Sequence, residues 1–236
     1  MTTLNELINT YGIEKLMSMV KYPSILTYHN LGERGTLLDS LVDNKDFNNQ
    51  SVYITEKIDG TNISVEWDGH AVSFHGRTER AQIPKHLLEY LEKTFLTTEA
   101  EELFEQTYGD KNVILYGEGY GAKIQNGGNY RSDVSFILFD VLIGDNWQER
   151  EWVEKTAKMF GIDVVPVVFV GSLEEGIDYV MKHHPSTIGT AMMEGIVGRP
   201  MVEMRDRLGK RIIVKIKWED FKEFAKILEE AKNANE

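Results

Sequence analysis

The sequence predicts an α+β protein built mainly from antiparallel sheets flanked by helices. Strand-like runs arrive in hairpin-like groups, as at 52–55, 63–67 and 71–74. Helical periodicity is confined to separate stretches, such as Leu87, Leu88, Leu91 and Phe95. No regular strand–helix–strand alternation runs along the chain, which argues against a doubly wound parallel sheet. Hydrophobic residues make up 42% of the 236, enough for a sizeable core.

Taken in order, residues 4–20 read as one or two short helices, and 21–50 as loop with short strands. Val52–Thr55 and Ile63–Trp67 alternate or run apolar, as strands do, and Asp68-Gly69 turns the second into Ala71–Phe74. Pro84 suits the first position of a helix, and a second helix is expected over 99–107. Val113–Tyr116 and Ser135–Phe139 are strand-like. A helix over 149–160 should stop near Gly161, and a single strand should run from Val164 to Val170. Ser172-Leu173-Glu174-Glu175 has the form of a capping box, opening a helix to about His183. Strands at 194–198 and 211–217 and a last helix over about 219–232 complete the pattern.

Composition excludes several classes. The chain has no cysteine, so disulfides and thiolate metal sites are out. The N-terminus has no secretory signal pattern, and no apolar run is long enough to span a membrane. An intracellular, cytoplasmic protein is expected. The net charge of -12 argues against a nucleic-acid binder. Its distribution softens that objection: between 199 and 217, Arg199, Arg205, Arg207, Lys210, Arg211, Lys215 and Lys217 face only Glu203 and Asp206. Such a patch can steer a polyanion, and it can equally be a charged hairpin surface.

Five polar clusters interrupt the apolar runs. Glu56-Lys57-Ile58-Asp59-Gly60-Thr61-Asn62 places a lysine and an aspartate between two strands. Arg77 lies just beyond a strand, where it could hold a phosphate or remain an ordinary surface arginine. Tyr116-Gly117-Glu118-Gly119 sets a carboxylate between glycines that would let a ligand approach, unless it is an ordinary tight turn. Phe139-Asp140 combines a ring able to stack on a base with a charge inside an apolar run, which needs a partner. Glu194-Gly195-Ile196-Val197 precedes Lys215-Ile216-Lys217, whose lysines share one face of a strand. Two such lysines repel unless an anion lies between them; an edge strand guarded by lysines would carry them too. A nucleophilic Lys57 would need positive charge or desolvation nearby, because a free lysine titrates at about 10.4.

Lys57-Ile58-Asp59-Gly60, Tyr116-Gly117-Glu118, Phe139-Asp140, Glu194-Gly195-Ile196-Val197 and Lys215-Ile216-Lys217 together resemble the ordered motifs of the covalent nucleotidyltransferase superfamily. That superfamily comprises polynucleotide ligases and mRNA capping enzymes. Thr61-Asn62 is most similar to the small phage-type, nick-sealing RNA ligases. Each motif is short; the specificity lies in five of them in order over residues 50–218.

The resemblance implies an ATP-grasp-like ligase fold with the nucleotide between the sheets. It implies an ATP-dependent RNA ligase of RNA repair, joining 5′-phosphate and 3′-hydroxyl ends of RNA, with ATP and Mg²⁺ (or Mn²⁺). Lys57 would take AMP from ATP, and Lys215 and Lys217 would stabilise charge on the α-phosphate. Glu194, with Asp59, would organise the metal. Glu56 would meet the adenine through its backbone, Phe139 would stack on it and Glu118 would bind the ribose. Arg77 and Asn62 would contact the nucleotide or the incoming end. Residues 51–236 would form this domain, after a lead segment, 1–50, that could be a small accessory module; no C-terminal OB domain is expected. A DNA or mixed-substrate nick-sealing ligase, a capping-type guanylyltransferase and a non-catalytic nucleotide- or RNA-binding module are the competing readings.

Overall fold

Alternation along the strands decides which side chains are covered by helices and which are left for chemistry. The structure, a computed structural model, describes residues 22, 23, 25–27, 29–31, 37–41, 50–78, 81–125, 127–206 and 209–220. The helices expected within 4–20 lie outside these residues, as does most of the one expected over 219–232.

Among the described residues the strands are β1 (Leu26–Thr27), β2 (His29–Leu31), β3 (Leu37–Leu41), β4 (Val52–Lys57), β5 (Thr61–Trp67), β6 (Val72–Gly76), β7 (Val113–Gly121), β8 (Val134–Ile143), β9 (Asn146–Trp147), β10 (Asp163–Val164), β11 (Val167–Gly171), β12 (Gly195–Pro200) and β13 (Val214–Lys217). Helices span Lys85–Phe95, Thr98–Tyr108, Arg150–Phe160 and Leu173–Met181. The chain divides into two compact units: Met1–Pro23 with Gly60–Val164, and Ser24–Asp59 with Val165–Glu236.

The first unit is a sheet in the order β10-β8-β7-β5-β6, with β9 beside β8; every pairing but β10 with β8 is antiparallel. Its core joins Ile63, Val65 and Trp67 of β5, Val113 and Leu115 of β7, and Phe136, Leu138 and Val141 of β8. Leu87, Leu91 and Phe95, Phe104 and Tyr108, and Val153 and Ala157 pack there from the three helices. The Asp68-Gly69 turn forms as expected, with the Asp68 carboxylate accepting from the backbone N–H groups of His70 and Ala71. Pro84 stands just outside its helix, in an extended conformation at the N-cap, not at the first helical position. The helix Arg150–Phe160 ends on the left-handed Gly161.

The second unit is a sheet in the order β1-β13-β12-β4-β11, antiparallel except for β1 with β13. Ile54, Ile196 and Ile216 pack against Leu173 and Val180 of the helix Leu173–Met181. That helix opens on the expected capping box: Ser172 Oγ accepts from Glu175 N at 3.1 Å, and Glu175 Oε2 accepts from Ser172 N at 2.7 Å.

The single strand expected from Val164 to Val170 is two. Asp163–Val164 pairs with β8 in the first unit, and Val167–Gly171 pairs with β4 in the second. Pro166 separates them because it has no N–H to give a ladder. Its carbonyl accepts instead from Glu56 N, at 3.0 Å.

Candidate active site

Lys57, Gly195 and Lys217 stand opposite one another on three adjacent strands, β4, β12 and β13. Directly opposed residues share a face, so both lysines project on the same side with a bare glycine between them. A Cβ at Gly195 would run into the backbone of Ile216 and Lys217. Into the gap comes the carboxylate of Glu194, the residue before β12. Lys57 Nζ donates to its Oε2 at 2.5 Å, and Lys217 Nζ to its Oε1 at 2.9 Å. The sequence calls for an anion between paired lysines; here that anion is Glu194, and the pair it joins is Lys57 and Lys217. Burial works against charge on Lys217, but Glu194, Asp220 and Glu219 outweigh it and hold the ammonium above its ordinary range. Lys215 lies two residues earlier on the same face, in the row Thr55–Val197–Lys215.

Glu56 points to the other side of β4 and is 1% exposed. Its carboxylate accepts from Ser186 Oγ at 2.5 Å, Thr187 N at 2.9 Å and Thr187 Oγ1 at 2.6 Å. Three donors satisfy a charge that would otherwise be costly to bury. Ser186 and Thr187 belong to a turn closed by Ser186 N to Ala191 O and Met193 N to His184 O. That turn runs straight into Glu194, so the Glu56 carboxylate on one side of β4 and the Lys57 amine on the other both hold the segment 186–194.

In the first unit the face away from the helices carries the other candidates. Asn62 on β5 and Glu118 on β7 are directly opposed and half-buried. Glu118 sits inside β7, which runs on to Gly121, and not in a turn at the end of the strand. Gly117 and Gly119 face the core: a Cβ on the first would strike the Phe136 ring and on the second Leu87. Close packing, rather than ligand approach, explains those two glycines. Phe139 is the extra residue of a β-bulge, since Tyr116 pairs with Asp140 and Gly117 with Leu138. The bulge resets the alternation, so Asp140 joins Tyr116 on the face away from the helices. Its carboxylate, 1% exposed, accepts from the Tyr22 hydroxyl at 2.9 Å and from Val141 N at 3.1 Å. Arg77 is exposed, one residue beyond the Ile63–Gly76 pair. Asp59, the last residue of the second unit's segment Ser24–Asp59, is half-buried.

A family model described as RNA ligase matches residues 50–217, the span that contains every one of these clusters. The chain belongs to the RNA ligase family. No curated protein matches it. Among solved structures it is similar to Naegleria gruberi RNA ligase with PPi, at 19% identity and a TM-score of 0.58, over 87% of this chain and 64% of that one. A mutant of the same ligase with ATP and Mn matches at 17% identity and TM-score 0.57, over 87% of this chain and 63% of that one. An apo mutant matches at 17% and 0.56, over 98% and 70%. The chain thus spans about 63% of the length of the ATP- and Mn-bound ligase chain. At these identities the likeness is one of fold: the α+β architecture of these RNA ligase structures.

Within this family member, sequence reasoning missed Ser186, Thr187 and Tyr22. Each reaches its partner across 118 residues or more, and no motif marks it. The basic stretch 199–217 is also less basic than its composition. Arg211 is held by both oxygens of Glu203, at 2.5 and 2.8 Å, and buried Arg199 lies 3.8 Å from the same carboxylate. Lys217 is engaged by Glu194. Arg205 and Lys210 remain exposed near the hairpin tip, and Arg207 lies outside the described residues.

Proposed function

We propose that this protein is an ATP-dependent RNA ligase that joins a 5′-phosphate to a 3′-hydroxyl through a lysyl-AMP intermediate on Lys57. The observation that carries the reading is the row Lys57–Gly195–Lys217 with Glu194 across it, inside the segment matched to the RNA ligase family. Residues 51–236 would act as the nucleotidyltransferase domain, with 1–50 as a lead segment.

Lys57 Nζ attacks the α-phosphorus of ATP. A P–N bond forms, the bond to the oxygen bridging to the β-phosphate breaks, pyrophosphate leaves and Nζ gives up a proton. An oxygen of the RNA 5′-phosphate then attacks the same phosphorus, the P–N bond breaks and the lysine regains a proton. The RNA 3′-hydroxyl finally attacks the 5′-phosphate, losing its proton as AMP departs. Such transfers depend on positioning and charge neutralisation. Lys215 and Lys217 supply fixed positive charge for the α-phosphate. Phe139 stacks on the adenine, Glu118 accepts from the ribose, and the Glu56 backbone meets the base. Asn62 and Arg77 engage the nucleotide or the incoming end.

Among the described residues no group of three or more acidic or histidine side chains is gathered to hold a metal. Glu194 is one carboxylate beside two lysines, with Asp59 a further candidate. That donor set fits Mg²⁺ or Mn²⁺ held by one or two carboxylates, water and the substrate phosphates, not a protein cage. When bound, the ion would supply positive charge for the triphosphate. Lys57 can attack only after Nζ leaves Glu194, so the carboxylate's exchange of partners would coincide with nucleotide arrival.

The test is sealing of a nicked duplex with ATP and Mg²⁺. RNA at the 3′-hydroxyl side of the nick should be joined, and Lys57→Ala should join nothing. Equal or better sealing with DNA at that side would favour the mixed-substrate or DNA reading. Labelling by GTP in preference to ATP would favour a capping-type activity.

A further inference from the structure

Tyr22 stands at the centre of a four-ring cluster on the face of the first unit's sheet that lies away from its three described helices. Its ring centroid lies 4.9 Å from Phe139, nearly perpendicular, 5.0 Å from Tyr116 and 5.5 Å from Trp147. Tyr116 and Trp147 also touch each other, at 5.3 Å. The Tyr22 hydroxyl donates to Asp140 Oδ2 at 2.9 Å. One side chain therefore touches both residues of the Phe139-Asp140 bulge, the ring by aromatic contact and the carboxylate by a hydrogen bond.

A bulge residue lacks the ladder partner that fixes its neighbours, so its direction has to be set by side-chain contacts. Asp140 accepts from its own neighbour's Val141 N, which ties the carboxylate to β8, and Tyr22 reaches it from a segment remote in sequence. Edge-on aromatic contacts of this kind are directional. A hydrogen bond to a charged acceptor is stronger than one between neutral groups.

We propose that Tyr22 is a positioning residue for nucleotide binding: it braces the bulge so that Phe139 presents its ring to the adenine base of ATP. This rests on the ligase reading and adds a residue from the lead segment to the base-recognition apparatus. Tyr22 acts on the base, through Phe139 and Asp140, and among the described residues touches no group assigned to the triphosphate.

The experiment measures Lys57–AMP formation against ATP concentration for wild type, Tyr22→Phe, Tyr22→Leu and Asp140→Asn, with inorganic tripolyphosphate as a competing probe of the phosphate side. Tyr22→Phe should raise KM for ATP about fivefold to tenfold with kcat near wild type, and Asp140→Asn should reproduce the effect. Tyr22→Leu should raise it further. Inhibition by tripolyphosphate should be unchanged in all three, which a general loss of folding would not allow. An unchanged KM in Tyr22→Phe and Tyr22→Leu overturns the proposal. So does a parallel loss of ATP and tripolyphosphate binding, or a fall in KM, which would make Tyr22 a plug and not a brace. If wild type forms no adduct, the ligase reading falls and takes this inference with it; an adduct with insensitive variants removes this inference alone.

Discussion

Glu56 and Lys57 are neighbours in sequence with opposite surroundings, because alternate residues of a strand face opposite ways. Lys57 meets Glu194 where side chains are about a quarter exposed, so solvent screens that pair and it can be exchanged. Glu56 is closed off and held by three donors. Its role is to fix the turn that delivers Glu194. Replacing it with alanine leaves the hydroxyl of buried Ser186 without its acceptor. Glu56→Ala should therefore cost about 1–3 kcal/mol, read as a lower urea midpoint, whereas Thr187→Ala should cost less because its position is exposed. An unchanged midpoint for Glu56→Ala would show that the turn is held by its own backbone bonds.

At the scale of elements, local signals were legible and long-range ones were not. The Asp68-Gly69 hairpin and the Ser172 capping box depend on residues within three positions, and both form as the sequence predicts. The five clusters were also readable, since each is a short string. Their meaning in space was harder. Glu118 reads as the end of a strand beside a turn, yet the strand continues, because Gly117 and Gly119 are needed to admit Phe136 and Leu87. The Phe139 bulge arises only when β7 and β8 are paired, and the Lys57–Glu194 bridge and the Tyr22 brace join residues over a hundred positions apart. On the face of the first unit's sheet away from its described helices, Glu66 of β5 adds a pH dependence. His75 Nε2 donates to it at 3.0 Å and Asn112 at 2.8 Å, and together they outweigh burial and depress its carboxyl. A depressed folded value means the contribution is complete above about pH 4.5 and is lost as pH falls through that depressed value. Glu66→Gln should therefore narrow the loss of melting temperature between neutral and strongly acid pH. An acid transition identical to wild type would assign that loss to other carboxylates.

For the molecule as a whole, the α+β class follows from the grouping of strands, and the family match and the shared fold agree with it. The division into units was not visible: it falls at Ser24, in a stretch without clear periodicity, at Gly60, between two strands that read as one group, and at Val165, inside a run that reads as one strand. Pro166 was the available signal for the last of these. Among the described residues no helix is long and apolar enough to cross a membrane. The net charge of -12 remains compatible with a polyanionic substrate if the lysines are local and the acids lie elsewhere. Yet Glu203 and Glu194 quench part of the 199–217 stretch. RNA sealing should accordingly weaken steeply as salt rises only if Arg205, Lys210 and their neighbours contact phosphates.

The proposed chemistry stands or falls on whether Lys57 carries the nucleotide. Mass spectrometry of the protein after incubation with ATP and Mg²⁺ measures it directly. One added AMP is expected, mapped to the peptide containing Lys57, released by added pyrophosphate and absent from Lys57→Ala. ATP binding without any covalent addition, or an equal addition to Lys57→Ala, would contradict it.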